Sequence, residues 1–165
     1  MKSSNRLALL ATAVVALSSL STTVMAASVS GVANATVLTP IAITAPKALT
    51  FGTFAPGTAA GTVVVTAGGT RTATNALLST SVAGDFGRFT VTGANLGFAI
   101  TAPTTVTLTG AGPAMIATLS GIGSTGTIAG GTVNIDFGAS LAVAAASTQT
   151  AGAYTGSFTM QVEYN

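Results

Sequence analysis

Few side chains in this sequence could carry acid–base chemistry. The 165 residues include three acids, Asp85, Asp136 and Glu163, and no histidine or cysteine. The commonest general base, the thiol nucleophile and most transition-metal ligand sets are therefore missing. Asp85 and Asp136 could approach each other in space as a glycosidase pair, but an acid in a turn such as AGDFG is usually a turn former. We expect no enzyme, and no catalytic, cofactor-binding or metal site.

Two short motifs suggest other chemistry. Residues 121–126 read GIGSTG, which satisfies the G-x-G-x-x-G dinucleotide fingerprint. That fingerprint requires a strand before it and a helix after it, whereas TIAGGTVNIDFG follows here and reads as turn and strand. We interpret the motif as a loop. Asn34-Ala35-Thr36 is a glycosylation sequon, and an accidental occurrence is equally compatible with the sequence.

Residues 1–26 have the pattern of a secretory signal peptide. Lys2 and Arg6 precede an apolar run from Leu7 to Leu17, and the stretch ends in Val-Met-Ala. The predicted cut lies between Ala26 and Ala27. The apolar run is too short for a membrane span, and no later segment could serve as one, so we expect no transmembrane span in the mature protein. An uncleaved anchor is the alternative.

Removal of this leader would leave three basic and three acidic residues, a formal charge of zero. So few lysines and arginines cannot neutralise a run of phosphates, which excludes nucleic acid as a partner. A surface with little charge and a net value near zero tends to associate. About 139 residues would remain, enough for one domain that buries a core without disulfides.

The mature chain is built from short alternating apolar stretches that end at Gly, Pro or Asn, with Thr at most of the outward positions. Stretches of this length with frequent turn signals predict an all-β sandwich or barrel. The Ala-rich segment SLAVAAAST could be helical, but the alternation of Leu141 and Val143 favours a strand. A solenoid is a minor alternative because no fixed repeat period is present. The expected inward residues are Val63, Val65, Phe89, Val91, Phe98, Ile100, Val106, Leu108, Val133, Ile135, Phe137, Leu141 and Val143.

Apolar and polar residues alternate in both terminal segments of the mature chain. The C-terminal segment GAYTGSFTMQVEYN starts at Gly152 and predicts one extended strand with a single apolar face. The N-terminal segment predicts a second one-sided strand of small side chains with Gly31 inside it, and a glycine there often marks the close approach of another backbone. The C-terminal face comprises Tyr154, Gly156, Phe158, Met160, Val162 and Tyr164, and the N-terminal face comprises Val29, Gly31, Ala33, Ala35 and Val37.

These two ends carry a family resemblance. Gly152 lies fourteen residues from the C-terminus, alternating apolar residues follow it, and Tyr164 is penultimate. Gly31 is second in the N-terminal apolar series, and Phe51-Gly52 follows shortly after the extension. In this combination the chain resembles pilins of the chaperone–usher class, specifically the small cysteine-free common-pilus (Mat-type) and spore-coat-U-like subunits. It lacks the disulfide of the type-1-like members.

The resemblance implies an incomplete immunoglobulin-like sandwich that is completed by a donor strand from a neighbouring subunit. It divides the chain into a signal peptide (1–26), a donor-strand extension (27–39) and a pilin domain (40–165). The C-terminal face would flank the open groove. The implied partners are identical or related subunits, a periplasmic chaperone and an outer-membrane usher. The implied location is a cell-surface fimbria, reached through the periplasm, that supports adhesion or biofilm formation.

One alternative function stays open at this point. The chain could be a self-contained secreted β-sandwich that coats a surface or binds carbohydrate without polymerising. Its C-terminal segment would then be an ordinary last strand of a complete domain.

Overall fold

The structure, a computed structural model, describes residues 25–165. The chain divides into two units, Met1–Ala35 and Thr36–Asn165. In the first unit, residues 25–35 form no helix or strand and their side chains are exposed. The regular elements found in residues 25–165 are all strands, and none of those residues belongs to a helix long and apolar enough to cross a membrane.

Thirteen strands are present in the described part of the chain. They are β1 (Ala42–Lys47), β2 (Phe54–Pro56), β3 (Gly61–Val65), β4 (Arg71–Thr74), β5 (Ala76–Leu78), β6 (Gly87–Thr92), β7 (Gly97–Thr101), β8 (Thr105–Gly110), β9 (Met115–Ser120), β10 (Thr125–Thr127), β11 (Thr132–Val143), β12 (Tyr154–Thr155) and β13 (Gln161–Tyr164).

These strands form an all-β, immunoglobulin-like sandwich, which confirms the predicted fold class. The largest sheet has the order β1-β6-β11-β9-β8-β12, and β3 joins it through β11 with β4 beside it. A second sheet has the order β10-β7-β13, and β2 and β5 form a two-stranded sheet. All these pairings are antiparallel, as expected for short strands joined by turns.

The long strand β11 connects two hydrophobic cores. Its first half pairs with β6, and its second half pairs with β3 on one side and β9 on the other. Leu141 and Val143 therefore lie in a strand, as predicted. They belong to the second half of β11 and do not form a strand separate from its first half, which contains Val133, Ile135 and Phe137. Gly138 lies at the changeover, where a Cβ would overlap the carbonyl oxygen of Val65. A glycine is needed here because β3 approaches too closely for a side chain.

The first core lies around β3, β9 and the second half of β11, and the second core lies around β6, β7 and the loop residue Ile128. Several predicted inward residues are fully buried, and burial of each valine or leucine contributes about 1.5–3 kcal/mol as an upper estimate. The buried residues of the first core are Phe51, Val63, Val65, Met115, Ala117, Ala139, Leu141 and Val143. Those of the second core are Val91, Phe98, Ile100, Ile128 and Met160.

Arg71 in β4 secures the loop that follows β5. Its guanidinium donates hydrogen bonds to the carbonyl oxygens of Phe51 (2.9 Å), Ser79 (2.6 Å) and Val82 (3.2 Å). Because charged donors form stronger hydrogen bonds than neutral ones, the contacts to Ser79 and Val82 hold this loop, and the contact to Phe51 connects it to the first core. The basic residue is structural at this position.

Replacement of Gly138 by alanine should destabilise the domain by about 1–3 kcal/mol, because the new methyl group would be forced against the Val65 carbonyl. Gly68→Ala is the matched control, since the nearest atom to its Cβ would be the Thr66 hydroxyl at 3.8 Å. Urea unfolding of both variants in the same assembly state measures the difference. Equal midpoints for the two variants would contradict this account of the β3–β11 approach.

Candidate functional site

An open groove lies between two strand edges of the sandwich. Strand β1 ends the large sheet and pairs with β6, and β13 ends the second sheet and pairs with β7. Among residues 25–165 no pairing joins β1 to β13. The groove between them has a volume of about 380 Å³. Its lining residues are Ile41, Ala42, Ile43, Thr101, Met160, Gln161, Val162 and Glu163.

The groove opens onto the second core. Met160 is buried at its base with 6% of its surface exposed, and Ile43 and Val162 are only half-buried against the same cluster. Their alternation along each strand directs these side chains to the core side. Apolar side chains at an unpaired strand edge form a surface on which a further strand could pair and pack.

Phe158, just before β13, packs in a cluster with two aromatic rings from β6 and β11. The ring of Phe158 meets those of Phe89 and Phe137 edge to face, at centroid distances of 5.8 and 5.6 Å. Phe89 and Phe137 stack on each other at 5.1 Å. Such pairs contribute about 0.5–1.5 kcal/mol beyond their buried area. Phe158 thus anchors the segment that leads into β13, and it is not one of the residues lining the groove.

Tyr164 connects three parts of the chain at one end of β13. Its hydroxyl donates a hydrogen bond to the Thr39 carbonyl (2.8 Å) and accepts one from the Ala94 backbone N–H (2.6 Å). Gly93 leaves room for this hydroxyl, which a Cβ there would overlap. The sequence pattern placed Tyr164 on the apolar face, but no sequence signal pointed to Thr39 or Ala94 as its partners.

The structure differs from the prediction of one continuous C-terminal strand. Tyr154 lies in β12, which pairs with β8, and its ring packs against the first core. Gly152 lies in the loop before β12, and Gly156 follows it with its backbone close to the Thr107 carbonyl. The chain then crosses to the other sheet before β13 begins. Met160 and Val162 line the groove, whereas Gly152, Tyr154 and Gly156, which the sequence pattern placed on the same face, do not.

The residues predicted for the donor strand are exposed and form no strand. Val29, Gly31, Ala33 and Ala35 fall in the Met1–Ala35 unit, and Val29 is 96% exposed. Val37 falls in the Thr36–Asn165 unit and is 94% exposed. Both valines at the ends of the predicted apolar face are thus exposed to solvent.

The predicted signal peptide lies almost wholly outside the described residues, because the structure describes the chain from residue 25. Ala26 and Ala27, the residues on either side of the predicted cut, are exposed and lie in neither a helix nor a strand. An extended, accessible backbone is compatible with cleavage at that position.

Asp85 and Asp136 are both held in ion pairs. Lys47 contacts Asp85 at 2.9 Å, and Arg88 binds both carboxylate oxygens of Asp136, at 2.5 and 2.8 Å. Phe86 lies between the two cations, with the Lys47 ammonium 3.5 Å from its ring centroid. The hydrogen bond from Lys47 lowers the pKa of Asp85, and that from Arg88 lowers the pKa of Asp136. A glycosidase acid needs a raised pKa, so this pair is unsuited to that role.

No group of three or more potential ligand side chains that could hold a metal ion occurs in residues 25–165. Residues 121–124 of the GIGSTG motif form a bend after β9, and its last two residues belong to β10. A strand on this side leaves no helix N-terminus for a pyrophosphate. The loop interpretation therefore holds for residues 121–124, with the correction that residues 125–126 start a strand.

The two aspartate ion pairs should make stability depend on acid pH. Because both folded-state pKa values lie below that of an unfolded aspartate, about 3.9, the stabilisation is present above that pH and is lost as the pH falls through the folded-state values. Asp136→Asn should reduce the change in the unfolding midpoint between about pH 6 and pH 2. Glu163→Gln is the control, because among residues 25–165 Glu163 forms no ion pair. An unchanged pH profile for Asp136→Asn would contradict this assignment.

The geometry thus defines an immunoglobulin-like domain with an open groove at one side. A family model matches residues 41–164, and the chain belongs to that family, which is described as a domain of unknown function (DUF4402). The match starts at Ile41, the first residue that lines the groove, and ends at Tyr164. No curated protein and no solved structure matched the chain.

Proposed function

We propose that the protein is a structural subunit of a bacterial surface fimbria, which polymerises when the extension of one copy fills the groove of the next. The observation that supports this most is the unpaired groove between β1 and β13, with half-buried Ile43 and Val162 facing it. We call residues 27–39 the arm. The exposed apolar face of the arm supplies what this groove lacks.

The interaction would resemble strand addition to a sheet edge. Backbone N–H and C=O groups of the arm would pair with the free edges of β1 and β13, and alternate side chains would enter the groove. Full burial of Val29 and Val37, which are now exposed, would contribute about 1.5–3 kcal/mol each. Ala33, Ala35 and Gly31 bury less, so the main-chain hydrogen bonds and the completed second core must provide most of the remaining affinity.

The orientation of the inserted arm relative to β1 determines whether the copies form a filament or a closed dimer. The arm's root, at Thr39, lies beside Tyr164, and β1 runs from there towards Lys47 and its partner Asp85. If the arm of one copy enters the next copy's groove parallel to β1, the domain that donates the arm lies at the Lys47 end of that groove. The accepting copy's own arm leaves from the opposite end, at Thr39. Such contacts are head to tail and do not close, so they build filaments. The reverse direction would place both roots at one end and allow a closed dimer.

Export and assembly follow from the predicted leader and the open edges. A signal peptide would direct the chain into the periplasm, where an exposed apolar edge is an aggregation hazard. A periplasmic chaperone would cover the groove until an outer-membrane usher exchanges it for the arm of another copy. The fibre would then support adhesion or biofilm formation at the cell surface.

Val29→Asp should abolish fibres, because it would place a charge in the apolar groove. Val32→Asp is a closely matched control: Val32 is 87% exposed and lies on the opposite face of the predicted arm strand. Electron microscopy and size-exclusion chromatography of the mature proteins measure assembly. Fibres from Val29→Asp, or equal loss in both variants, would show that the odd-numbered face does not enter a groove.

A protein that lacks residues 27–37 should form no polymer and should bind a synthetic peptide of those residues. The same peptide with Val37→Asp should bind at least tenfold more weakly, since loss of about 1.4 kcal/mol is tenfold in affinity. Calorimetry measures both. A truncated protein that behaves as a stable monomer and ignores the peptide would instead indicate the self-contained secreted sandwich.

A further inference from the structure

The groove nearest to each arm is its own. Thr39 and Ile41 are separated only by Pro40, and Ile41 already lines the groove. An arm that reversed direction at this point would reach β1 of its own domain without any second copy. In this structure, however, Val37 is 94% and Leu38 45% exposed, so the end of the arm nearest to β1 does not lie in this groove. A feature of the chain near Thr39 must therefore disfavour that reversal.

The backbone at the arm's root opposes a tight reversal. Two-residue hairpin turns need a positive φ at the first central residue, and usually glycine or asparagine there. Proline holds φ near −65°, and the residue before a proline is kept extended. The only non-glycine residue of 25–165 with a positive φ is Asn75, so Thr39 does not have the backbone conformation that a two-residue hairpin turn needs at its first central position. A wider loop would use up Val37, which belongs to the face predicted to enter the groove.

The Tyr164 hydroxyl adds a second constraint. It donates to the Thr39 carbonyl at 2.8 Å while it accepts from the Ala94 N–H at 2.6 Å, so the carbonyl just before Pro40 is bonded to the end of β13. A hairpin at Thr39 and Pro40 would turn this carbonyl and break the bond. Both constraints therefore act on the same peptide unit.

We propose that Thr39, Pro40 and the Tyr164 hydroxyl form a direction lock, which keeps the arm out of its own groove and leaves it for a second copy. This inference rests on the proposed function, because it explains why insertion takes place between molecules. Thr39 and Tyr164 are positioning residues in this view. They set where the arm goes and do not contribute to how tightly it binds.

The test introduces a favourable hairpin-turn sequence at residues 39 and 40 and removes the Tyr164 hydroxyl. In the triple variant Thr39→Asn, Pro40→Gly and Tyr164→Phe, the Asn-Gly pair suits a type I′ turn and Thr39 loses its hydrogen bond. The monomer fraction of the mature protein should rise at least about tenfold over the wild type. In that monomer, the amides of residues 29–37 should become protected from hydrogen exchange, which a merely destabilised domain would not show.

Tyr154→Phe is the matched control, because its hydroxyl donates to the Thr150 carbonyl at the other end of the sandwich. It should leave both the monomer fraction and arm exchange unchanged. The lock is refuted if the triple variant polymerises like the wild type, or if its monomer has an unprotected arm.

The same measurements separate this inference from the proposed function. If the wild type stays monomeric with an unprotected arm, polymerisation is wrong while the lock stands. If the wild type stays monomeric with its arm protected, the arm already occupies its own groove and the lock is wrong.

Discussion

The structure depends on a strand edge that is left open beside a hydrophobic core. In most sandwiches the edges are short, charged or covered, because unpaired backbone groups beside apolar side chains invite association. Here β1 and β13 border one groove, and Ile43 and Val162 are half-buried within it. The second core is thus accessible at this groove, and a strand of matching chemistry would cover it.

The pairing of the central strand β11 explains why the groove lies beside the second core. Strand β11 supports both cores, but the first core is closed by β3, β8 and β9 on its own side. The second core receives β6, β7 and the late strand β13, and within residues 25–165 no strand closes the gap between β13 and β1. The crossing of the chain between β12 and β13 divides the C-terminal segment between the two ends of the sandwich. As a result, only its last few residues border the groove.

Few charged side chains line the groove. Lys47, Asp85, Arg88 and Asp136 pair with one another around Phe86, and Arg71 is taken up by backbone carbonyls. Glu163 is the one ionisable residue among those that line the groove. Exposed ion pairs add little stability and weaken with salt, so affinity for a strand would come from hydrogen bonds and apolar burial. The affinity for such a strand would depend little on ionic strength.

The alternation of apolar residues by itself determined the all-β class, most of the core and the apolar face of the last strand, because side chains on a strand change sides at every residue. It also predicted that Val29, Ala33, Ala35 and Val37 would share one face of an extended strand. Only the tertiary structure decided that the C-terminal segment is two strands in different sheets, that β1 is the opposite border of the groove, and that Tyr164 bonds to Thr39. Paired strands are far apart in the sequence, as are Ala139 in β11 and Val65 in β3, and the hydrogen bond between Tyr164 and Thr39 spans 125 residues. Local periodicity carries no information about which edges meet or which remain unpaired.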